Sequence, residues 1–194
     1  MTNFAETFIK NKKKDNNTII LKKNETLFFE GDLCKEVGFI ISGKIEIVSY
    51  LEDGKEIIYN TLEDGQMFGN NLVFSSSPYF RGDVVAKKDS EVMLIKKLEL
   101  LEMLKEDSVL LESFLQDQSD FSKTLNLKIK ILTISSAEER LKYYLTFNKG
   151  KYTYKSVSEL AKTLYLSRES LSRTISKMAK NNQMYIHDKT IELK

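Results

Sequence analysis

Cysteine and histidine are almost absent from this sequence, which has one residue of each kind, Cys34 and His187. A single cysteine excludes an internal disulfide framework and any iron–sulfur or other metal site built from several cysteines. A single histidine likewise leaves a metal-dependent enzyme without the clustered ligands that it needs. We therefore expect no metal site, no iron–sulfur cluster, no haem and no enzymatic activity, and we interpret Cys34 as a packing residue.

Long apolar runs are also missing. No run approaches the ~18 apolar residues of a membrane-spanning helix, and the segment Met1–Glu6 lacks the apolar core of a signal peptide. The composition, 41% hydrophobic and 30% charged, is typical of a globular protein that can bury a core. We therefore expect a cytoplasmic protein without a membrane partner.

Neither sign of charge dominates the chain, whose net charge is +2, but the charges are unevenly distributed. Residues 136–194 carry 12 Lys and Arg against 6 Asp and Glu, a net charge of +6, whereas residues 1–135 have a net charge of −4. Such an asymmetry is typical of a basic nucleic-acid-binding module attached to a neutral-to-acidic domain. A chance imbalance is the alternative that composition alone leaves open.

Short apolar runs, separated by Gly and Asp, occupy the chain from Thr18 to Lys96. They predict strands at Thr18–Leu21, Thr26–Phe29, Phe39–Ile41, Lys44–Val48, Ile57–Tyr59 and Val92–Ile95. Asp53 and Gly54 between two of these runs form a strong hairpin signal, and other turns containing Gly separate the rest. Many short strands with regular turns predict a jelly roll or a sandwich.

A long helix is predicted next, capped by Asp107 or Ser108 and ending near Ile134. Residues three and four positions apart along it form a heptad-like seam, which two polar residues interrupt. The seam consists of Leu111, Phe114, Gln118, Phe121, Leu125, Lys128 and Leu132. This seam predicts a dimerisation helix, and the alternative is a helix that packs only within its own subunit.

Two short helices joined by a tight turn are predicted between Ser156 and Met178. Ser156 and Glu159 form a capping box for the first helix, and Ser167 caps the second. The second helix has an apolar face and a polar face: Leu171, Ile175 and Met178 against Glu169, Ser172, Arg173 and Ser176. Arg matches guanine, a carboxylate matches cytosine, and a hydroxyl suits a base edge or a phosphate. The pattern favours a helix-turn-helix that reads DNA, with a solvated amphipathic helix pair as the alternative.

The segment Ser167–Arg173, followed by Met184–Leu193, resembles the winged helix-turn-helix of the catabolite activator protein and fumarate–nitrate reduction regulator (Crp/Fnr) family. The resemblance implies that Arg168, Glu169 and Arg173 read the G·C pairs of a TGA-containing half-site. The full set of residues that we predict to contact DNA is Ser156, Ser158, Ser167, Arg168, Glu169, Ser170, Ser172, Arg173, Lys177, His187 and Lys189.

Other positions refine this resemblance. Ser172 matches a serine of the Fnr-like branch, and Ala137–Leu141 resembles the same branch, which places a hinge at residues 135–136. Tyr165 occupies a turn position where the family usually has Gly, and since Gly tolerates a positive φ we expect a slightly opened turn. The link Asn148–Lys151 is short where the catabolite activator protein has a longer loop that touches RNA polymerase, so RNA polymerase is left open as a partner.

The order of turns from Glu30 to Arg81 resembles the cyclic-nucleotide-binding domain of the same family. Nucleotide-binding members use a Gly-Glu pair for the ribose and an Arg-Ser pair for the cyclic phosphate. Here Asn70 replaces the Glu, and Arg81 is followed by Gly82 and Asp83, whose carboxylate would repel a phosphate. We expect that cyclic AMP is not the effector. The predicted effector pocket consists of Gly69, Asn70, Asn71, Arg81, Gly82, Leu125 and Asn126.

These features predict an α+β chain with an N-terminal jelly-roll β-barrel, a long dimerisation helix and a C-terminal winged helix-turn-helix. The predicted domains are a sensor at 1–107, the dimerisation helix with its hinge at 108–135, and a DNA-binding domain at 136–194. The expected function is a homodimeric transcription regulator that binds an inverted-repeat operator through a recognition helix at 168–179. An unidentified small molecule is an open effector. The alternatives are a cyclic-nucleotide-responsive regulator, a ligand-independent regulator and an interaction module without a DNA function.

Overall fold

The computed structural model describes residues 4–11 and 17–194. The chain forms two compact units, one ending at Ser119 and the other comprising Asp120–Lys194. The division falls inside the longest helix, whereas the predicted boundaries at 107/108 and 135/136 fall near the two ends of that helix, so the three-part division into domains stays a prediction.

The first unit contains a β-roll preceded by one helix and followed by another. Its elements are α1 (Phe4–Asn11), β1 (Thr18–Leu21), β2 (Thr26–Phe28), β3 (Glu36–Ser42), β4 (Lys44–Tyr50), β5 (Glu56–Glu63), β6 (Met67–Phe68), β7 (Asp83–Ala86), β8 (Ser90–Lys96) and α2 (Lys97–Glu106). The strands pair antiparallel in two sheets, in the orders β1-β8-β3-β6 and β2-β7-β4-β5. The predicted α+β class and the N-terminal β-roll are confirmed.

Local sequence signals explain part of this topology. The hairpin predicted at Asp53 and Gly54 joins β4 to β5, and the Gly54 N–H donates to the Leu51 carbonyl at 2.8 Å. The predicted runs omitted β6, which has two residues, and β7, whose last three residues are all buried. A strand buried on both faces lacks the alternation by which a half-exposed strand is recognised.

Aromatic side chains fill much of the roll. Phe28 and Phe80 stack with their ring centroids 4.8 Å apart, and Phe68 packs edge-on to Phe28 at 6.4 Å. The Phe68 ring lies directly against Gly38, where a β-carbon would overlap it. Gly38 therefore makes room for an aromatic ring at the centre of the core, where close packing leaves little space for rearrangement.

The longest helix, α3 (Ser108–Thr133), begins where the sequence predicts. The Asp107 carboxylate caps it by accepting hydrogen bonds from the N–H groups of Val109 and Leu110 at 2.9 and 3.0 Å. Phe114, which we predicted in the dimer seam, is only 5% exposed and packs against Phe4 of α1 with ring centroids 5.2 Å apart. Phe114 thus belongs to the core of its own unit and is not on the free face of the helix.

The second unit has a helical core and a small antiparallel sheet in the order β10-β11-β9. After the end of α3 its elements are α4 (Ala137–Phe147), β9 (Lys151–Thr153), α5 (Val157–Thr163), α6 (Arg168–Lys180), β10 (Met184–His187) and β11 (Thr190–Leu193). Its buried core joins residues of α3, α4, α5 and α6, among them Ile131, Leu141, Leu145, Leu160 and Leu171. The arrangement is a helix-turn-helix, α5 and α6, followed by a β-hairpin wing.

Within the described ranges, no helix combines the length and the apolar character that crossing a bilayer requires. The segment Met1–Glu6, for which we predict no signal peptide, lies partly outside those ranges.

Cys34 is 2% exposed, and its Sγ contacts the carbonyl oxygens of Glu36 and Gly69 at 3.4 and 3.7 Å. Burial raises the pKa of the thiol from 9.0 to about 11.

Because the thiolate is the nucleophile, we expect an alkylating reagent at pH 8 to modify Cys34 only after the chain unfolds, as followed by mass spectrometry with and without urea. The folded thiol holds its proton more tightly than the unfolded one, so this group should lower stability as the pH rises from about 9 to 11. Rapid modification of the native protein at pH 8 would contradict this placement.

Candidate nucleic-acid interface and effector pocket

Two serine side chains begin the helices of the helix-turn-helix. The Ser156 hydroxyl accepts a hydrogen bond from the Glu159 N–H at 3.1 Å, and the Ser167 hydroxyl accepts one from the Ser170 N–H at 3.1 Å. Both contacts satisfy N–H groups that have no partner inside the helix. The two predicted capping serines are therefore confirmed as N-caps of α5 and α6.

The turn between these helices is closed. After the Leu164 cap, the Tyr165 N–H donates to the Lys162 carbonyl at 3.1 Å and the Leu166 N–H to the Ala161 carbonyl at 2.9 Å, which is the Schellman pattern. Tyr165 has a φ of 54°, in the left-handed region where Gly is usual. The expectation that a side chain here opens the turn is therefore wrong, because both turn hydrogen bonds form around the strained residue.

The outer face of α6 carries the polar residues that the sequence pattern assigns to it. Leu171, Ile175 and Met178 are buried against the unit, and the opposite face is exposed. Two shallow depressions follow that exposed face. The first is lined by Arg168, Glu169, Ser172 and Arg173, and the second by Ser172, Arg173, Ser176, Lys177, Lys180 and Asn181.

Lys180 and Asn181 extend this face beyond the residues predicted to contact DNA. The sequence signal for Lys180 is the spacing of Arg173, Lys177 and Lys180 at i, i+4 and i+7, which places three cations on one stripe of a helix. Among the predicted DNA contacts, the last one on α6 is Lys177. The exposed face of α6 is thus longer and more basic than predicted.

Lys177 is also engaged within the unit. Its Nζ lies 3.3 Å from Oε2 of Glu138 on α4, whose other carboxylate oxygen is 2.8 Å from Nζ of Lys142. Hydrogen bonds from Lys142 and then Lys177 lower the pKa of the Glu138 carboxyl. The ion pair between Lys177 and Glu138 links α6 to α4 but contributes little free energy, because solvent screens it.

The wing brings two predicted residues to one tip. His187 ends β10 and Lys189 precedes β11, and both side chains are exposed. The Lys189 carbonyl accepts a hydrogen bond from the Tyr154 N–H at 2.9 Å, and the Thr153 and Thr190 hydroxyls are 2.8 Å apart across neighbouring strands. The backbone of the tip is therefore fixed while the Lys189 ammonium stays in solvent. Of the remaining predicted residues, Ser158 is exposed on α5 and Ser170 is half-buried on α6.

Comparison with known proteins agrees with this architecture. Residues 18–107 match the family model of the cyclic nucleotide-binding domain. The cAMP-activated global transcriptional regulator Vfr of Pseudomonas aeruginosa is 24% identical over 179 residues, which cover 86% of this chain and 84% of that protein. The anaerobic regulatory protein of Bacillus subtilis is also 24% identical over 179 residues, covering 87% of this chain and 75% of that protein.

A solved structure, the catabolite activator protein of Thermus thermophilus, shares the fold with a TM-score of 0.54 at 19% identity, covering 91% of this chain and 84% of that one. The chain is similar over most of its length to regulators of the Crp/Fnr type. This similarity extends over both the β-roll of the first unit and the winged helix-turn-helix of the second.

Five of the seven residues predicted for the effector pocket lie in the loop between β6 and β7. Arg81 and Asn71 are exposed, whereas Phe80 between them is buried in the roll. Gly82 passes so close to β4 that a β-carbon would lie 2.6 Å from the Val48 carbonyl oxygen. The backbone next to Arg81 is therefore tightly packed, while the Arg81 side chain is exposed. Leu125 and Asn126 are exposed on α3 in the second unit, and their share in the pocket stays a prediction.

Asp83 has a structural contact that its sequence position did not reveal. Its Oδ1 accepts a hydrogen bond from the Glu30 N–H at 2.8 Å, which ties the start of β7 to the turn after β2. Glu30 in turn accepts a hydrogen bond from the Ser49 hydroxyl at 2.7 Å. The carboxylates of Asp83 and Glu30 therefore each accept a hydrogen bond within the first unit.

Proposed function

We propose that this chain is a sequence-specific DNA-binding transcription regulator that acts in the cytoplasm as a homodimer on an inverted-repeat operator. The observation that carries the proposal is the exposed face of α6, where Arg168, Glu169, Ser172 and Arg173 lie together on a helix whose opposite side is buried. A helix held in this way can enter the major groove with its N-terminal residues against the base edges.

The chemistry of that face suits G·C pairs. An Arg guanidinium donates two hydrogen bonds to O6 and N7 of guanine, and the Glu169 carboxylate accepts one from N4 of cytosine. The basic stripe that continues through Lys177 and Lys180, together with Lys189 at the wing tip, suits phosphate oxygens, which fix position without reading sequence. The net charge of +6 over residues 136–194 supports this division of roles.

The free face of α3 supports the dimer. Leu125, Ile129 and Leu132 are 41%, 59% and 52% exposed, while Leu127 and Ile131 on the other side pack into the second unit. Leu125, Ile129 and Leu132 have the i, i+4, i+7 spacing of a coiled-coil seam. Leu111 and Leu115 are also exposed, in the part of α3 that belongs to the first unit. These exposed residues include Leu111, Leu125 and Leu132 of the predicted seam, and Leu115 and Ile129 each follow a predicted seam residue by one position. A second copy of the same helix would cover them.

Selection of binding sites from random duplex DNA tests this function. Two recognition helices related by a dyad lie about 34 Å apart, one helical turn of DNA, so the selected site should be an inverted repeat with a TGA-like core. Affinity should fall steeply with salt, because phosphate contacts release counterions. Selection of sites that are not inverted repeats would contradict the proposed homodimer. The absence of salt-dependent binding to any duplex would favour an interaction module without a DNA function.

The same protein should not respond to cyclic AMP. Asn70 offers no carboxylate to the ribose, and Arg81 is followed by Gly82 and Asp83 where a nucleotide-binding protein would need a serine for the phosphate. Losing a charged hydrogen bond costs about 1.5–3 kcal/mol, so two such losses move a micromolar ligand toward millimolar. Calorimetric titration with cyclic AMP should give no heat at micromolar concentration while operator binding is intact. Tight binding accompanied by stronger operator affinity would establish the cyclic-nucleotide-responsive alternative instead.

A further inference from the structure

Arg140 of α4 donates hydrogen bonds to carbonyl oxygens from two separate parts of the second unit. Its Nε donates to the Ile134 carbonyl, just beyond the end of α3, at 2.6 Å. One terminal nitrogen donates to the carbonyls of Leu164 and Tyr165 at 3.2 and 2.9 Å. A single half-buried guanidinium therefore joins the segment between α3 and α4 to the turn of the helix-turn-helix.

The hydrogen bonds from Arg140 stabilise the turn that accepts them, for two reasons. The last carbonyls of a helix have no partner inside it and carry the partial negative charge of the helix dipole, so a cation is favourable there. Tyr165 holds a left-handed conformation that a residue with a β-carbon adopts less readily than Gly. The turn thus combines a strained residue with an external brace.

We propose that Arg140 is a positioning residue for DNA binding. Its guanidinium holds the turn at Tyr165 closed and so fixes the orientation of α6 relative to α5. The inference rests on the proposed function. This role requires no contact between Arg140 and DNA, because Nε and one terminal nitrogen donate to carbonyl oxygens within its own unit. By binding Ile134 as well, it ties the orientation of the recognition helix to the chain segment that follows α3.

Lysine cannot take over this role. The planar guanidinium presents several N–H donors in a fixed fork, so it reaches carbonyls in different directions at once, whereas the ammonium of lysine is a compact donor on a flexible stem. Arg140→Lys therefore keeps the charge but loses the simultaneous contact with Ile134 and the turn. Tyr165→Gly changes the turn itself. Gly adopts the left-handed conformation without strain, so the turn needs the hydrogen bonds from Arg140 less.

The test measures operator affinity of the full chain by fluorescence anisotropy at several salt concentrations, with thermal unfolding in parallel. We expect Arg140→Lys to weaken operator binding at least 10-fold while base preference and the salt slope stay unchanged. Adding Tyr165→Gly to Arg140→Lys should restore at least 3-fold of the affinity, whereas Tyr165→Gly alone should change it less than 2-fold. Lys142→Ala is the matched control, because it removes a cation from the same helix without a contact to the turn.

Three results would overturn the proposal. Wild-type affinity in Arg140→Lys, with only a lower unfolding midpoint, would make Arg140 a stabilising residue and nothing more. A smaller salt slope would indicate that Arg140 contacts a phosphate directly. Strictly additive effects of Arg140→Lys and Tyr165→Gly would show that the two residues do not act on the same turn. If Arg140→Lys does not fold, Arg140→Gln, which keeps a neutral N–H donor, enters the same cycle. Failure of the wild-type chain to bind any duplex would instead refute the proposed function.

Discussion

Replacing Arg173 by Ala should weaken binding to the selected operator by about 1–3 kcal/mol, or 5- to 150-fold, and relax the preference at one base pair of each half-site. The expected effect is large because Arg173 lies at the centre of the exposed α6 face, bordering both depressions. Its guanidinium has the fork geometry that guanine requires, and Ala leaves those base acceptors without a donor. Competition binding with operators substituted at single positions measures both changes.

Lys189→Ala is the matched comparison for this variant. Its side chain extends from the wing tip, so its removal should weaken binding about equally for all sequences and reduce the salt slope by about 1. If Arg173→Ala instead left base preference intact and behaved like Lys189→Ala, α6 would be a phosphate-binding helix and the assignment of the recognition residues would fail.

The double variant Ile129→Glu, Leu132→Glu should dissociate the homodimer. Both side chains are more than half exposed on α3, whereas neighbouring Ile131 is buried in the unit, so the substitutions act on the free face and spare the core. Enclosing unpaired carboxylates in an apolar seam costs several kcal/mol per group. Sedimentation should therefore give a monomer, and operator affinity should fall because the two half-sites are no longer bound together.

Thr124→Glu serves as the control for this experiment, since it adds one carboxylate of the same kind to an exposed flank of α3 outside the apolar stripe. It should sediment as the wild-type chain does. A dimer that persists in the double variant would place the interface elsewhere on the protein, and an equal effect of Thr124→Glu would indicate a general disturbance of the helix.

The helix-turn-helix could be predicted closely because its signals are local. Ser156 and Ser167 lie three residues before the N–H groups that they cap, and the buried residues of α6 repeat with the helical period. The same applies to the start of α3 at Asp107. In each of these cases the residues that determine the element are within a few positions of each other, so the sequence alone contains the contact.

Features that depend on distant residues escaped prediction. The spacing of Phe114 fits a dimer seam, but Phe4, more than a hundred residues earlier, packs on it and draws it into the core. The turn at Tyr165 stays closed although its sequence suggests otherwise, and its carbonyl accepts a hydrogen bond from Arg140, 25 residues away. Periodicity identifies an apolar or polar face but not the partner that covers it.

The solitary buried thiol makes this chain suitable for site-specific spectroscopy. Because Cys34 is the only cysteine and is enclosed by the β-roll, a cysteine introduced at an exposed position would be the single site that a nitroxide or fluorophore modifies in the folded protein. If this cysteine is placed on α6, pulsed electron paramagnetic resonance would report the separation of the two labelled helices of the proposed homodimer, without background from the native sequence. The separation could then be followed directly as candidate effectors are added.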